Sequence, residues 1–163
     1  MVKFTIALAS LNDAKVEVSG GPFTYDGTSK NPTVAVTLDS KTLSASTDYT
    51  LSYSNSNGGD GNLTNAGTVT VTATGTGNYT GTATASGEFT IKMADPTYTT
   101  PTGLTAVYGE TLADVALPTG WAWVNLSTSV GNVGENTFRA TYYKDSSGNY
   151  IPVQQNLTVK LTP

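Results

Sequence analysis

The chain has no cysteine and no histidine. The first absence rules out a disulfide framework and a thiolate metal site; the second removes the commonest general base and metal ligand. A serine or threonine nucleophile would need a base, and a carboxylate pair would need two acids held together. No G-x-S-x-G, no D-x-D and no cluster of acids occurs in the sequence. The expectation is a protein that is not an enzyme, with no catalytic residue, no cofactor and no metal. Charge is scarce too: eight basic and twelve acidic residues leave a net charge of -4. The bases are scattered singly, so no cationic stripe matches a phosphate backbone and nucleic acid is excluded as a partner. No apolar run approaches the ~18 residues of a membrane span. The opening "MVKFTIALASLNDAKVEV" turns too polar after Ala9 for a signal-peptide core with a cleavage site. Met1 reads as a start codon placed ahead of an excised segment, with no membrane contact in that segment, and the chain is expected to be monomeric.

What the sequence does have is threonine, glycine and tyrosine: 30, 17 and 9 in 163 residues. Threonine and tyrosine suit a pleated, half-buried surface. Period-2 alternation marks the strands. Val34, Val36 and Leu38 share a face, as do Tyr49, Leu51 and Tyr53, and Val69, Val71 and Ala73. Later, Phe138, Ala140 and Tyr142 share one, and so do Leu157, Val159 and Leu161, with Thr137, Arg139, Thr141, Thr158 and Lys160 on the wet side. One buried and one solvated face predicts antiparallel sheets packed as a sandwich, with glycine turns every 8 to 12 residues. The one helical hint is a single turn at 111–115, capped by Thr111.

The sequence also repeats itself. Asn65-Ala66-Gly67, Gly77-Asn78-Tyr79 and Phe89-Thr90-Ile91-Lys92 return in the same order as Asn132-Val133-Gly134, Gly148-Asn149-Tyr150 and Leu157-Thr158-Val159-Lys160. An upstream turn precedes each set, Tyr25-Asp26-Gly27 and Tyr108-Gly109, but it lies 40 residues before the Asn in one copy and 24 in the other. The first copy is therefore expected to hold one extra hairpin, placed at "STDYTLSYSNSNGGDGN". Ordered self-similarity of this kind signals a tandem array. Lys3-Phe4-Thr5-Ile6 resembles Phe89-Thr90-Ile91-Lys92, so residues 1–6 are expected to be the last strand of a preceding repeat. The boundary between copies is expected in "KMADPTYTTPTG", where Pro96 and Pro101 remove backbone donors. This gives modules over 1–94 and 95–163.

Four features could carry chemistry. Trp121 and Trp123 lie two apart and so project to one strand face, the arrangement of a sugar-stacking platform; core packing is the favoured reading, because small modules spend their tryptophans on burial. Asn55, Asn57, Asp60 and Asn62 are rich in oxygen, but their spacing does not match a calcium loop and no glutamate closes it, so a hairpin tip is preferred, as it is for Asp145 to Asn149. Lys92 or Lys160 could supply the amine of an amide crosslink to a neighbouring strand, yet alternation turns both toward solvent. Four Asn-x-Ser/Thr triplets, at Asn62, Asn78, Asn125 and Asn156, fit a glycosylation acceptor, a cheap match in a threonine-rich chain.

"GPFTYDGTSKNPTVAV", "KTLSASTDYTLSYSN" and "NAGTVTVTATGTGNYTG" resemble the YDG-type β-rich repeats of large extracellular bacterial proteins. "GLTAVYGETLADVALPTGWAW" with "VGNVGENTFRATYY" resembles a companion YGX-type repeat, usually grouped as MBG-like or bacterial Ig-like. The resemblance implies an all-β chain of two tandem small antiparallel β-sandwich modules, Ig-like or β-grasp-like. It implies an extracellular place on the bacterial surface or in secretion, neighbouring repeats in the same chain, and a spacer or adhesive stalk role. A host or glycan ligand would belong to the parent protein. The alternative function is a carbohydrate-binding module using Trp121 and Trp123 or an exposed tyrosine such as Tyr143. The lengthened "SNSNGGDGNL" departs from the usual tighter turn of the repeat.

Overall fold

The computed structural model describes residues 5–163, with residues 83–86 described by backbone alone. Residues 1–4, part of the segment expected to close a preceding repeat, lie outside the described residues. The chain is all-β and divides into two compact units, Met1–Met93 and Ala94–Pro163.

The first unit holds β1 (Ala9–Ser10), β2 (Lys15–Ser19), β3 (Phe23–Thr24), β4 (Thr33–Leu38), β5 (Lys41–Thr42), β6 (Tyr49–Asn55), β7 (Gly59–Asp60), β8 (Gly67–Gly75), β9 (Tyr79–Thr80) and β10 (Thr82–Lys92). One sheet runs β3-β10-β8-β6-β7, a second runs β2-β4-β5, and β1 pairs with β9. Alternation fixes which side chains each sheet turns inward. Val16 and Val18 of β2 and Val34, Val36 and Leu38 of β4 share one apolar cluster with Tyr49, Leu51 and Tyr53 of β6, Val71 and Ala73 of β8 and Phe89 of β10. The two sheets thus bury their apolar faces in common, which is where a half-solvated sheet must spend them.

The second unit holds β11 (Leu104–Val107), a 3-10 turn (Leu112–Asp114), β12 (Trp121–Trp123), β13 (Gly134–Tyr142) and β14 (Val153–Thr162). Here the strands form one sheet, ordered β11-β14-β13-β12, rather than two facing ones. Ala106, Trp121, Trp123, Ala140, Leu157, Val159 and Leu161 fill its core face, and Leu112, Val115 and Val130 from the connecting segments close over them. Pairing also departs from the purely antiparallel expectation: β11 runs parallel to β14, β3 to β10 and β1 to β9. Alternation reveals which face of a strand is buried but not its direction. Long connections between β3 and β10 and between β11 and β14 permit the parallel arrangement. Thr141, expected on the wet side, is buried. It sits mid-sheet, flanked in register by Ala122 on β12 and Gln154 on β14.

The sequence repeat is a structural one. Gly67 opens β8 and Gly134 opens β13, each strand nine residues long. Both glycines hold positive φ, +157° and +126°, and a Cβ on Gly67 would lie 2.4 Å from the Asn55 side-chain oxygen. Each long strand pairs with a closing strand, Gly67 opposite Ile91 and Gly134 opposite Leu161. Each closing strand pairs in parallel with the short strand ahead of the Tyr-Gly turn, and the tyrosine N–H caps it: Tyr25 donates to the Lys92 carbonyl at 2.8 Å and Tyr108 to the Thr162 carbonyl at 3.1 Å. The order β3-β10-β8-β6 therefore matches β11-β14-β13-β12. Two corrections follow. Lys92 corresponds to Thr162, two residues beyond the Lys160 of the sequence alignment, because the pairings to Gly67 and Gly134 fix the register. The strands of the first unit with no counterpart strand in the second are β1, β2, β4, β5, β7 and β9, whereas β6, inside the stretch read as the additional hairpin, is the counterpart of β12.

Candidate functional site

The first unit's Tyr-Asp-Gly turn is the most organised polar site. One carboxylate oxygen of Asp26 accepts from the Thr28 N–H at 2.8 Å and from the Thr28 hydroxyl at 2.6 Å. That same oxygen takes an ion-paired hydrogen bond from the Lys30 ammonium, which also lies 3.4 Å from the Thr28 hydroxyl. The Lys30 backbone N–H donates to the Leu63 carbonyl at 2.8 Å, tying the turn to the segment that leads into β8. Lys30 is buried, and among the described residues it is the one charged side chain that is. The Lys30 ammonium, then the Thr28 hydroxyl and N–H, hold the Asp26 carboxyl well below the usual carboxylate range. Sequence reasoning singled out Lys92 and Lys160 and missed Lys30. The available signal was the acid four residues before a lysine, within "YDGTSK".

Both of the other lysines are exposed, and Lys160 stands opposite Glu135 in register. No Asp or Glu is buried among the described residues, so the buried acid that amide crosslinking requires is not beside any of the three. The arrangement at Asp26 orders a turn through charge-assisted hydrogen bonds.

Trp121 and Trp123 share a face, as their spacing requires, and that face is the core: the residues are 9% and 7% exposed. The Trp123 indole N–H donates to the Val115 carbonyl at 2.9 Å, and its ring meets Phe138 edge-on at 6.2 Å. The Trp121 N–H donates to the Thr99 carbonyl at 3.2 Å, with Tyr142 and Tyr98 against its ring at 5.4 and 5.8 Å. Stacking on a sugar needs an open ring face, and little of either tryptophan is left exposed. Trp121 and Trp123 line a hollow of about 260 Å³ together with Leu112, Leu117 and the exposed Leu126. Tyr143 is half-exposed after β13, where its N–H donates to the Gly120 carbonyl at 2.7 Å.

The proline-rich stretch expected as a linker is a strap on this same core. Pro96 is buried, Tyr98 accepts from the Gln155 amide at 3.1 Å and packs on Tyr142 at 5.5 Å, and Thr99 receives Trp121. Proline excludes these residues from a ladder without excluding them from packing.

In the glycine-rich tip the amide oxygens serve the backbone. Asn55 accepts from the Asn57 N–H at 2.8 Å and donates to the Asn65 carbonyl at 2.9 Å. Asn62 accepts from the Thr64 and Asn65 N–H groups at 3.0 and 2.9 Å. These are Asx-type turns, the local alternative that asparagine offers the chain. Asp145 does the same, accepting from the Ser147 hydroxyl and, at 2.8 Å, from the Ser147 N–H; those two bonds lower its pKa. Asp114 likewise accepts from the Thr111 N–H and hydroxyl at 2.9 and 3.0 Å, and Thr111 stands at the N-cap of the 3-10 turn, as expected. No family model, curated protein or solved structure matches this chain.

Proposed function

We propose that the chain is a non-catalytic structural or adhesive spacer segment of a multi-repeat bacterial protein, extracellular at the cell surface or secreted. The observation that carries this reading is the same four-strand order built twice in succession, each copy with its own apolar core. Units that close their own cores can be strung into an array, and the array holds other parts of the parent protein at a distance. The resemblance of the two halves to YDG-type and MBG-like repeats supports the extracellular setting. Asn55, Asn62 and Asp145, singled out in the sequence as oxygen-rich, are engaged in turns. The alternative, a carbohydrate-binding module using Trp121 and Trp123, is less well supported because both rings are packed; Tyr143 and the hollow beside Leu126 are the surfaces left to it. A glycan array tests the reading. The folded, monomeric chain is expected to give no saturable binding. Saturable binding that Tyr143→Ala or Leu126→Ala abolishes without unfolding the protein would replace the spacer by the carbohydrate-binding module.

A further inference from the structure

We infer that residues 4–8 are the closing strand of a further unit of this fold lying ahead in the polypeptide, and that Ala9, like Ala94, marks the start of the unit that follows. This rests on the tandem reading above and adds to it the partner that this segment fits. The stretch Phe4-Thr5-Ile6-Ala7-Leu8-Ala9 shares four of six residues with Phe89-Thr90-Ile91-Lys92-Met93-Ala94. The structure supplies an independent match. The Ala94 N–H donates to the Asn149 carbonyl at 2.9 Å, and the Ala9 N–H donates to the Asn78 carbonyl at 3.0 Å. Both acceptors are the Asn of a Gly-Asn-Tyr turn, and both alanines bridge the following tyrosine in parallel, Ala94 to Tyr150 and Ala9 to Tyr79. The two alanines therefore hold one and the same place at the head of their units.

What precedes them differs in burial and in pairing. Ile91 is 1% exposed, between Gly67 of the long strand and Phe23 of the short parallel strand. Ile6, in the same tripeptide, is 91% exposed, and Thr5–Leu8 belong to no strand. An apolar row at period 2 is the signature of a strand with one face against a core, and the described members of this row, Ile6 and Leu8, are exposed. The slot it fits lies between a glycine-opened long strand and a Tyr-Gly edge strand. Its two differing residues fall where size is free, since Lys92 and Met93 are both exposed.

The test extends the chain. Residues 9–88 are duplicated ahead of Phe4, so that residues 4–8 take the place of 89–93 in the added copy; a control carries residues 9–92 ahead of Met1 and so brings its own closing strand. Amide hydrogen exchange at Thr5–Leu8 is expected to slow by about a hundredfold or more in the first chain relative to the 163-residue protein. Ile6→Asp is expected to unfold the added copy there while leaving the melting temperature of the 163-residue protein unchanged. If the control's added copy folds and the first chain's does not, or if Thr5–Leu8 stay unprotected beside a folded copy, the strand assignment is overturned and the tandem reading stands. If neither copy folds, both fall.

Discussion

Leu51 in the first unit and Trp123 in the second occupy one position of one sheet: Leu51 stands opposite Ala73 on β8 and Trp123 opposite Ala140 on β13, and both alanines are fully buried. Tyr49 and Trp121 are likewise counterparts, opposite Gly75 and Tyr142. The difference lies in what covers them. In the first unit the β2-β4-β5 sheet brings valines onto this face, so residues of ordinary size suffice. The second unit has no second sheet. It covers the same face with a turn and a strap, and the face itself carries two indoles, each able to bury on the order of 200 Å². A small single-sheet unit makes up in side-chain size what it lacks in layers.

The largest expected effect comes from removing that volume. Trp123→Ala should cost the second unit about 3 to 5 kcal/mol, comparable to the whole stability of a unit this small. Calorimetry should show its transition lost or strongly lowered while that of the first unit persists. Equal loss in both would mean that the units do not have separate cores.

Next comes the Asp26 and Lys30 pair, which has no counterpart in the second unit. Asp26→Ala strands a buried ammonium, whereas Lys30→Met leaves a solvent-exposed carboxylate and keeps the apolar stem. The acid variant should therefore be the less stable, and the double variant should recover part of the loss. Denaturant midpoints that rank the two single variants the other way would break the argument. The same pair fixes a pH effect. The folded-state pKa of Asp26 is depressed below the usual 3.8, so its contribution is complete above about pH 4 and is lost as pH falls below that value toward the folded-state one. Asp26→Asn should flatten the acid side of the first unit's stability profile and leave the second unit's profile unchanged. The smallest effect expected is none: EDTA should not move either transition, because the Asn55 and Asn62 amide oxygens already serve backbone N–H groups. A fall of several degrees restored by calcium would return the tip to the metal-site reading.

Much of the strand pattern was legible in the sequence, because alternation and the Asn-x-Gly and Gly-Asn-Tyr signals are local. Val34 to Leu38, Tyr49 to Tyr53, Val69 to Ala73 and Phe138 to Tyr142 all turn the expected faces inward. Strand direction and the number of sheets were not legible, since they depend on which distant strand lies alongside. Pro96 and Pro101 read as a break because proline lacks a donor, but the partners of this stretch, Trp121 and Gln155, are more than 20 residues away. Lys30 escaped notice for a related reason: its backbone N–H pairs with the Leu63 carbonyl, 33 positions on, a partner that local spacing does not reveal.

The parallel pairing of β11 with β14 has a mechanical consequence. The chain enters the second unit's sheet along β11 and leaves along its neighbour β14, so a pull on the two ends drags these strands past one another along their axes. The four register pairs from Leu104–Val159 to Val107–Thr162 then carry the load together, in shear, where an antiparallel terminal pair would peel open one bond at a time.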